Sequence, residues 1–182
     1  MKDTGIVRKI DSLGRIVIPK GIRKSLNVRE GDPLEIYVDN NELILKKYSH
    51  VMALCELAID LAKSLKNITG KSVIITDVEK VVIGEGEAKE LEGKSLSKEA
   101  IKVIKENKSF AINESENLKP LNITSSDINK FKSQLILPIS TKKGDSIGIV
   151  ALLDTDNTFK PTASDIRMLR LVCEILLIKS NV

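Results

Sequence analysis

Residues 7–26 read VRKIDSLGRIVIPKGIRKSL, and the reading of this stretch decides the architecture of the first fifty residues. Six basic side chains fall within twenty positions, interleaved with an apolar, strand-like run and one proline. Working outward, GIVRKI (5–10) and RIVIP (15–19) predict two strands joined through Asp11 to Gly14, where glycine permits a backbone closed to bulkier residues. Proline is tolerated in the first turn of a helix, so PKGIRKSL predicts a short helix with Ile22 and Leu26 on one side. A turn over 27–33 leads into LEIYVDNNELILK (34–46), a hairpin pattern centred on Asp39-Asn40-Asn41. The expected order is strand, strand, short helix, strand, strand.

A unit of this length rarely buries enough apolar surface to fold alone without a metal, a disulfide or a partner. No cysteine or histidine precedes His50. Ile16, Ile18, Leu34, Ile36, Leu43 and Leu45 therefore need a second chain, and a homodimer follows from size alone. The charge is equally uneven. Residues 1–29 carry eight Lys/Arg against two acids, and hold four of the chain's six arginines, while the whole chain is only +4. Such clustering favours a polyanionic partner, because each phosphate neutralised adds salt-dependent affinity.

From His50 the apolar period lengthens. Val51, Leu54, Ala58, Leu61, Leu65 and Ile68 recur at three and four residue steps, predicting a helix that stops between Asn67 and Gly70. Strands are expected at 71–77, 80–86, 134–140 and 146–154, with a helix over Ser97–Lys105. The closing helix, Ala163 to Lys179, follows a Thr162/Asp165 pair with capping-box spacing. This is an α+β pattern: a largely antiparallel sheet with its helices segregated to one side. The expected divisions are 1–48, a linking helix at 49–70 belonging to the second domain, and 71–182.

Several chemistries find no support. One histidine, two cysteines within apolar helical patterns and no carboxylate pair leave no catalytic, metal-ligating or cofactor-binding residues to name. GEGE (84–87) lacks the Gly-Lys-Ser/Thr ending of a phosphate loop and is acidic where phosphate would sit. The start MKDTG lacks a signal-peptide core, and no apolar run approaches membrane-spanning length, so no membrane partner and a cytoplasmic location are expected.

The run DSLGRIVIPKGIRKSLNVREGDPLEI (11–36) resembles the swapped-hairpin DNA-binding domain of AbrB-type transition-state regulators. Gly14, Arg15, Pro19 and Gly31-Asp32 fall at the places that pattern requires, and the match spans residues 3–47. The resemblance implies a β-barrel made by interlaced hairpins of two chains, binding double-stranded DNA. An α+β second domain of GAF-like type would place the chain in the stage V sporulation branch of that family, as a sequence-specific regulator of sporulation genes without enzymatic activity. Carried over position by position, the resemblance sets Arg8, Arg15, Arg23 and Lys24 against DNA. Lys9, Lys2 and Lys20 are further phosphate contacts. Lys24 departs from the arginine common at its place, keeping the charge but losing the planar fork of bidentate base recognition.

Asp77, Asp154 and Asp156 serve equally as turn residues or as contacts of a small-molecule effector between the sheet and the 110–131 loop. The sequence specifies no such effector, and a purely dimerising second domain stands level with it. The apolar helices at 50–66 and 163–179 further predict a self-association contact that joins two barrel dimers into a tetramer. Two rival functions remain: an antitoxin-like module binding DNA and a protein, or a small-molecule binding protein with an incidental basic head. Antitoxins of this type usually end in an extended wrapping segment, unlike the helix at 163–179.

Overall fold

The computed structural model describes residues 5–26, 28–112, 119–128 and 130–180. They fall into two compact units, Met1–Tyr48 and Ser49–Val182.

In the first unit the regular elements are α1 (Lys20–Ser25), β1 (Leu34–Asp39) and β2 (Glu42–Lys47). The strands pair antiparallel from Leu34↔Lys47 to Asp39↔Glu42. Asn40 and Asn41 both adopt positive φ, 41° and 79°, the backbone of a two-residue turn whose twist matches the strands it joins. Helix α1 begins at Lys20 with Pro19 in the capping position, so the proline precedes the first turn instead of occupying it. The strands expected at 5–10 and 15–19 do not form within one chain. At the turn between them, Asp11 N–H donates to Arg15 O at 3.0 Å. A strand needs a neighbour to take its N–H and C=O groups, and neither arm is paired in a ladder with the other or with β1 and β2. No described residue of this unit is buried, and Val7 and Val17 remain 86% and 73% exposed.

The second unit opens with α2 (His50–Ala53), capped by Ser49, whose hydroxyl accepts from Met52 N–H at 3.1 Å. The expected continuous helix breaks at Leu54 and resumes as α3 (Cys55–Thr69), passing through Asn67 before Gly70 closes it at φ 68°. Strands β3 (Ser72–Thr76), β4 (Val81–Glu85), β5 (Phe110–Ile112), β6 (Ser133–Ser140) and β7 (Ser146–Asp154) form one antiparallel sheet in the order β4-β3-β7-β6-β5. A 3₁₀ turn over Gly86–Leu91 and helix α4 (Lys98–Glu106) follow β4, and α5 (Ala163–Ser180) ends the unit. The capping box before α5 is closed in both directions: Asp165 N–H donates to Thr162 Oγ1 at 3.3 Å, and Thr162 N–H to Asp165 Oδ2 at 2.8 Å.

Helices cover both faces of this sheet, not one. On one face Val73, Ile75, Leu137 and Leu152 pack with Ala58 and Leu65 of α3 and Leu169, Val172 and Leu176 of α5. On the other, Ile74, Ile136 and Ile149 pack with Leu91, Ala100, Ile104, Ile123 and Phe131. The strands are apolar at consecutive positions, as in VIIT and GIVALL, and so require cover on both sides.

Candidate nucleic-acid interface

The basic head is organised by one carboxylate. Asp11 Oδ1 accepts from Leu13 N–H at 2.9 Å and Arg15 N–H at 2.8 Å, closing the turn over Ser12, Leu13 and Gly14. Gly14 sits at φ 76°, the left-handed region that the turn demands. The second oxygen, Oδ2, accepts from Arg15 Nε at 2.8 Å. These contacts hold the Asp11 carboxyl below its ordinary value of 3.8, the backbone N–H of Arg15 contributing most and its side chain next. Arg15 is thereby aimed while still exposed. Asp11 is the site residue that sequence reading missed as more than a turn former; the signal was an aspartate four residues ahead of an arginine across a glycine.

Arg8 and Lys9 are exposed, and Arg8 Nη1 makes only a local bond to Val7 O at 3.2 Å. Lys20, Arg23 and Lys24 share α1, where three and four residue spacing puts them on one side. Lys20 and Lys24 are exposed and Arg23 is half-buried. Arg23 Nε is enclosed with no hydrogen-bond partner among the described residues. An enclosed donor without an acceptor is costly. Arg23 and Lys24 also lie in the last turn of α1, where positive charge suits the helix dipole. Lys2 lies outside the described residues. After the helix, Asp32 Oδ2 accepts the backbone N–H of Arg29 at 2.8 Å, and Tyr48 N–H reaches Pro33 O at 3.1 Å, closing the turn onto the hairpin.

In the second unit Asp77 and Asp154 use their carboxylates in structure, while Asp156 is placed through its backbone. Asp77 Oδ1 accepts from Glu79 and Lys80 N–H, both at 2.7 Å, and Asp154 pairs with Lys71 at 2.5 Å. Asp156 N–H turns back to Asp154 Oδ1 at 3.4 Å. Ile123 and Phe131 of the 110–131 loop pack in the core on the α4 face of the sheet, and Gln134 ties the loop to β6 through Leu121 N–H and O, while residues 113–118 and 129 of the segment expected to border an effector lie outside the described residues. Among the described residues no three His, Cys, Asp or Glu gather to hold a metal, and no helix is long and apolar enough to cross a membrane.

A compact basic segment on a small unit, followed by an antiparallel sheet covered on both faces, is the build of a two-domain transcription regulator. The profile described as "Stage V sporulation protein T C-terminal, transcription factor" matches residues 53–178, and that of "Antidote-toxin recognition MazE, bacterial antitoxin" matches residues 7–52. Stage V sporulation protein T of Bacillus subtilis (strain 168) is 39% identical over 160 residues, 87% of this chain and 88% of that protein. Transition state regulatory protein AbrB of the same organism is 45% identical over 86 residues, 47% of this chain and 88% of that protein. The chain belongs to the stage V sporulation protein T family, as a transcription regulator with an AbrB-type head. Its body has the GAF fold. The GAF domain region of a putative membrane protein from Geobacter sulfurreducens PCA superposes with a TM-score of 0.56 at 19% identity, over 72% of this chain and 95% of that one.

Proposed function

We propose that residues 1–48 act as a homodimeric barrel that reads double-stranded DNA, with Arg15, Arg23, Arg8 and Lys24 against the duplex and Lys9, Lys20 and Lys2 on its phosphates. The observation that carries this reading is the Asp11–Arg15 pair, an exposed arginine held in one orientation at the centre of a basic segment. A base-reading arginine gains from such preorganisation, because its planar fork must meet two acceptors at once. The dimer rests on the arms at 5–10 and 15–19, which form no strand within one chain, and on the absence of any buried residue among those described in this unit. A second chain supplies both the missing ladder partners and the missing core. Residues 49–182 serve as a folded regulatory and self-association body without catalytic activity, and the protein works in the cytoplasm, where its DNA lies.

The test is binding of the full chain to its footprinted site and to a random duplex at fixed salt. Arg15→Ala and Arg23→Ala each lower specific affinity by about 1–3 kcal/mol while the protein stays folded. Unchanged affinity for both duplexes removes the residue concerned from the interface. The antitoxin profile over residues 7–52 favours one second reading, a head that also binds a protein. A toxin captured by the full chain in stoichiometric amount supports it.

A further inference from the structure

The second unit is almost neutral, with nineteen Lys/Arg against eighteen Asp/Glu over residues 49–182, yet its charges are not evenly spread. Lys98, Lys102 and Lys105 lie at four and three residue steps on the outer side of α4, where with Ile101 and Glu106 they line a groove of about 450 Å³. The turn between β6 and β7 adds Lys142 and Lys143. Asn107 joins the two elements. It caps α4 in the left-handed conformation at φ 52°, donates through Nδ2 to Gly144 O at 3.3 Å, and accepts from the hydroxyls of Ser140 and Ser146. The end of α4, with Lys105 and Lys108, is therefore fixed beside the lysine-bearing turn.

Three carboxylates, Glu99, Glu106 and the exposed Asp145 of the β6–β7 turn, stand against six lysines on this surface and do not balance them. Glu106 makes only long contacts of 3.7 Å to Lys102 and Lys108, and Glu99 is committed to Asn122 N–H at 2.9 Å. Lys98, Lys105, Lys142 and Lys143 are exposed and have no ion-pair partner among the described residues. Solubility alone accounts for scattered lysines, and the helix dipole for one or two at the end of α4. Neither accounts for six on one connected surface of a nearly neutral unit.

We infer that the α4 face and the β6–β7 turn form a second, sequence-independent contact for the phosphates of duplex DNA flanking the site read by the head. Lysines on flexible stems suit this role, because they neutralise phosphate without the planar geometry that base recognition needs. The inference rests on the reading of residues 1–48 as the DNA-reading head, and its test separates the two. Full-length protein is titrated with the footprinted site on a duplex of minimal length and on one extended by random sequence at both ends, across a range of salt. Wild type gains affinity on the extended duplex and shows a steeper salt dependence there. In the K98Q/K102Q/K105Q variant that gain shrinks, on the order of tenfold or more at 0.15 M salt, and the slope of log affinity against log salt becomes shallower by about two to three. K142Q/K143Q gives a smaller change of the same sign. Arg23→Ala, by contrast, loses affinity on both duplexes alike. The same length-dependent gain in the lysine variant as in wild type overturns the second contact, and so does an equal loss on both lengths. An Arg23→Ala protein that binds normally counts against the head alone.

Discussion

Asp11 and Arg15 are joined twice, through Arg15 N–H to Oδ1 and Arg15 Nε to Oδ2, both at 2.8 Å. One carboxylate therefore fixes the backbone of the turn and the direction of the guanidinium. It also lowers the positive charge offered to DNA. These effects oppose each other in affinity but act together in discrimination, since a diffuse charge binds any duplex while an aimed one rewards the right base.

Asp11→Asn keeps an acceptor for the turn but loses the ion pair. Random-duplex affinity should rise with the added net positive charge, while the ratio of specific to random binding falls on the order of tenfold, toward the cost of one bidentate base contact. Binding to both duplexes at one salt concentration measures this, and an unchanged ratio contradicts it. The pH behaviour carries a sign as well. Because folding depresses the Asp11 pKa, its stabilising contacts are present above the ordinary value of 3.8 and are lost as pH falls through the lower folded value. A carboxyl titration followed by NMR should place its midpoint below 3.8.

The second unit has its own tight point at Gly148 on β7. A Cβ there would lie 1.9 Å from Thr76 O, a backbone atom of the neighbouring β3 end. The next residue, Ile149, donates its N–H to Thr76 Oγ1 at 3.2 Å, so the strands have little freedom to part. Gly148→Ala should destabilise the unit by about 2–3 kcal/mol or more through overpacking. Urea unfolding followed by circular dichroism reads this, and a midpoint equal to wild type rules it out.

Most of the second unit was legible because its strands and helices carry strong apolar periods. The face to which α4 belongs was not. Ala100, Ile101 and Ile104 announce an apolar side, but only the packed structure sets them against Ile74, Ile136 and Ile149. The break at Leu54 was hidden for a related reason: Val51 and Ala58 continue the same period on either side of it. In the head, the apolar arms read as strands because their composition suits strands. Composition says nothing of whether a ladder partner is in the same chain, and within one chain these arms form no strand. The basic residues were visible individually. That Asp11 aims one of them depends on a turn geometry that no pattern of residue types contains.

Cys173 lies in the core of α5, and burial pushes its thiol up to about 12, with Glu174 adding to the effect. Since the thiolate is the nucleophile, this group should resist a disulfide reagent at pH 8 in the folded protein. Half-buried Cys55 should supply whatever prompt reaction occurs. In a Cys55→Ser variant, labelling should wait for denaturant; prompt labelling of that variant in buffer refutes the prediction.

Assembly supplies the last prediction. Helix α5 turns Leu169, Val172, Cys173 and Leu176 into the core, but Leu171 and Ile178, two turns apart on one flank, stay 62% and 70% exposed. An apolar pair at seven-residue spacing forms a seam, and leaving it in water has no evident benefit for an otherwise well-buried helix. The head offers a separate apolar surface, with Val17, Ile36, Val38 and Leu43 all exposed. Two different self-complementary contacts on one chain generate four copies if each joins a different neighbour, and two copies if both join the same one. The first arrangement is the one expected here, with the α5 seam joining chains that do not share a head. Light scattering on the full chain should then give the mass of a tetramer. The Leu171→Lys/Ile178→Lys variant should give a dimer that still binds its DNA site, since the head contact is untouched. A variant with the mass of wild type, whether that mass is two copies or four, removes the α5 seam from the assembly. A variant that falls to a monomer shows instead that the heads do not hold two chains together by themselves.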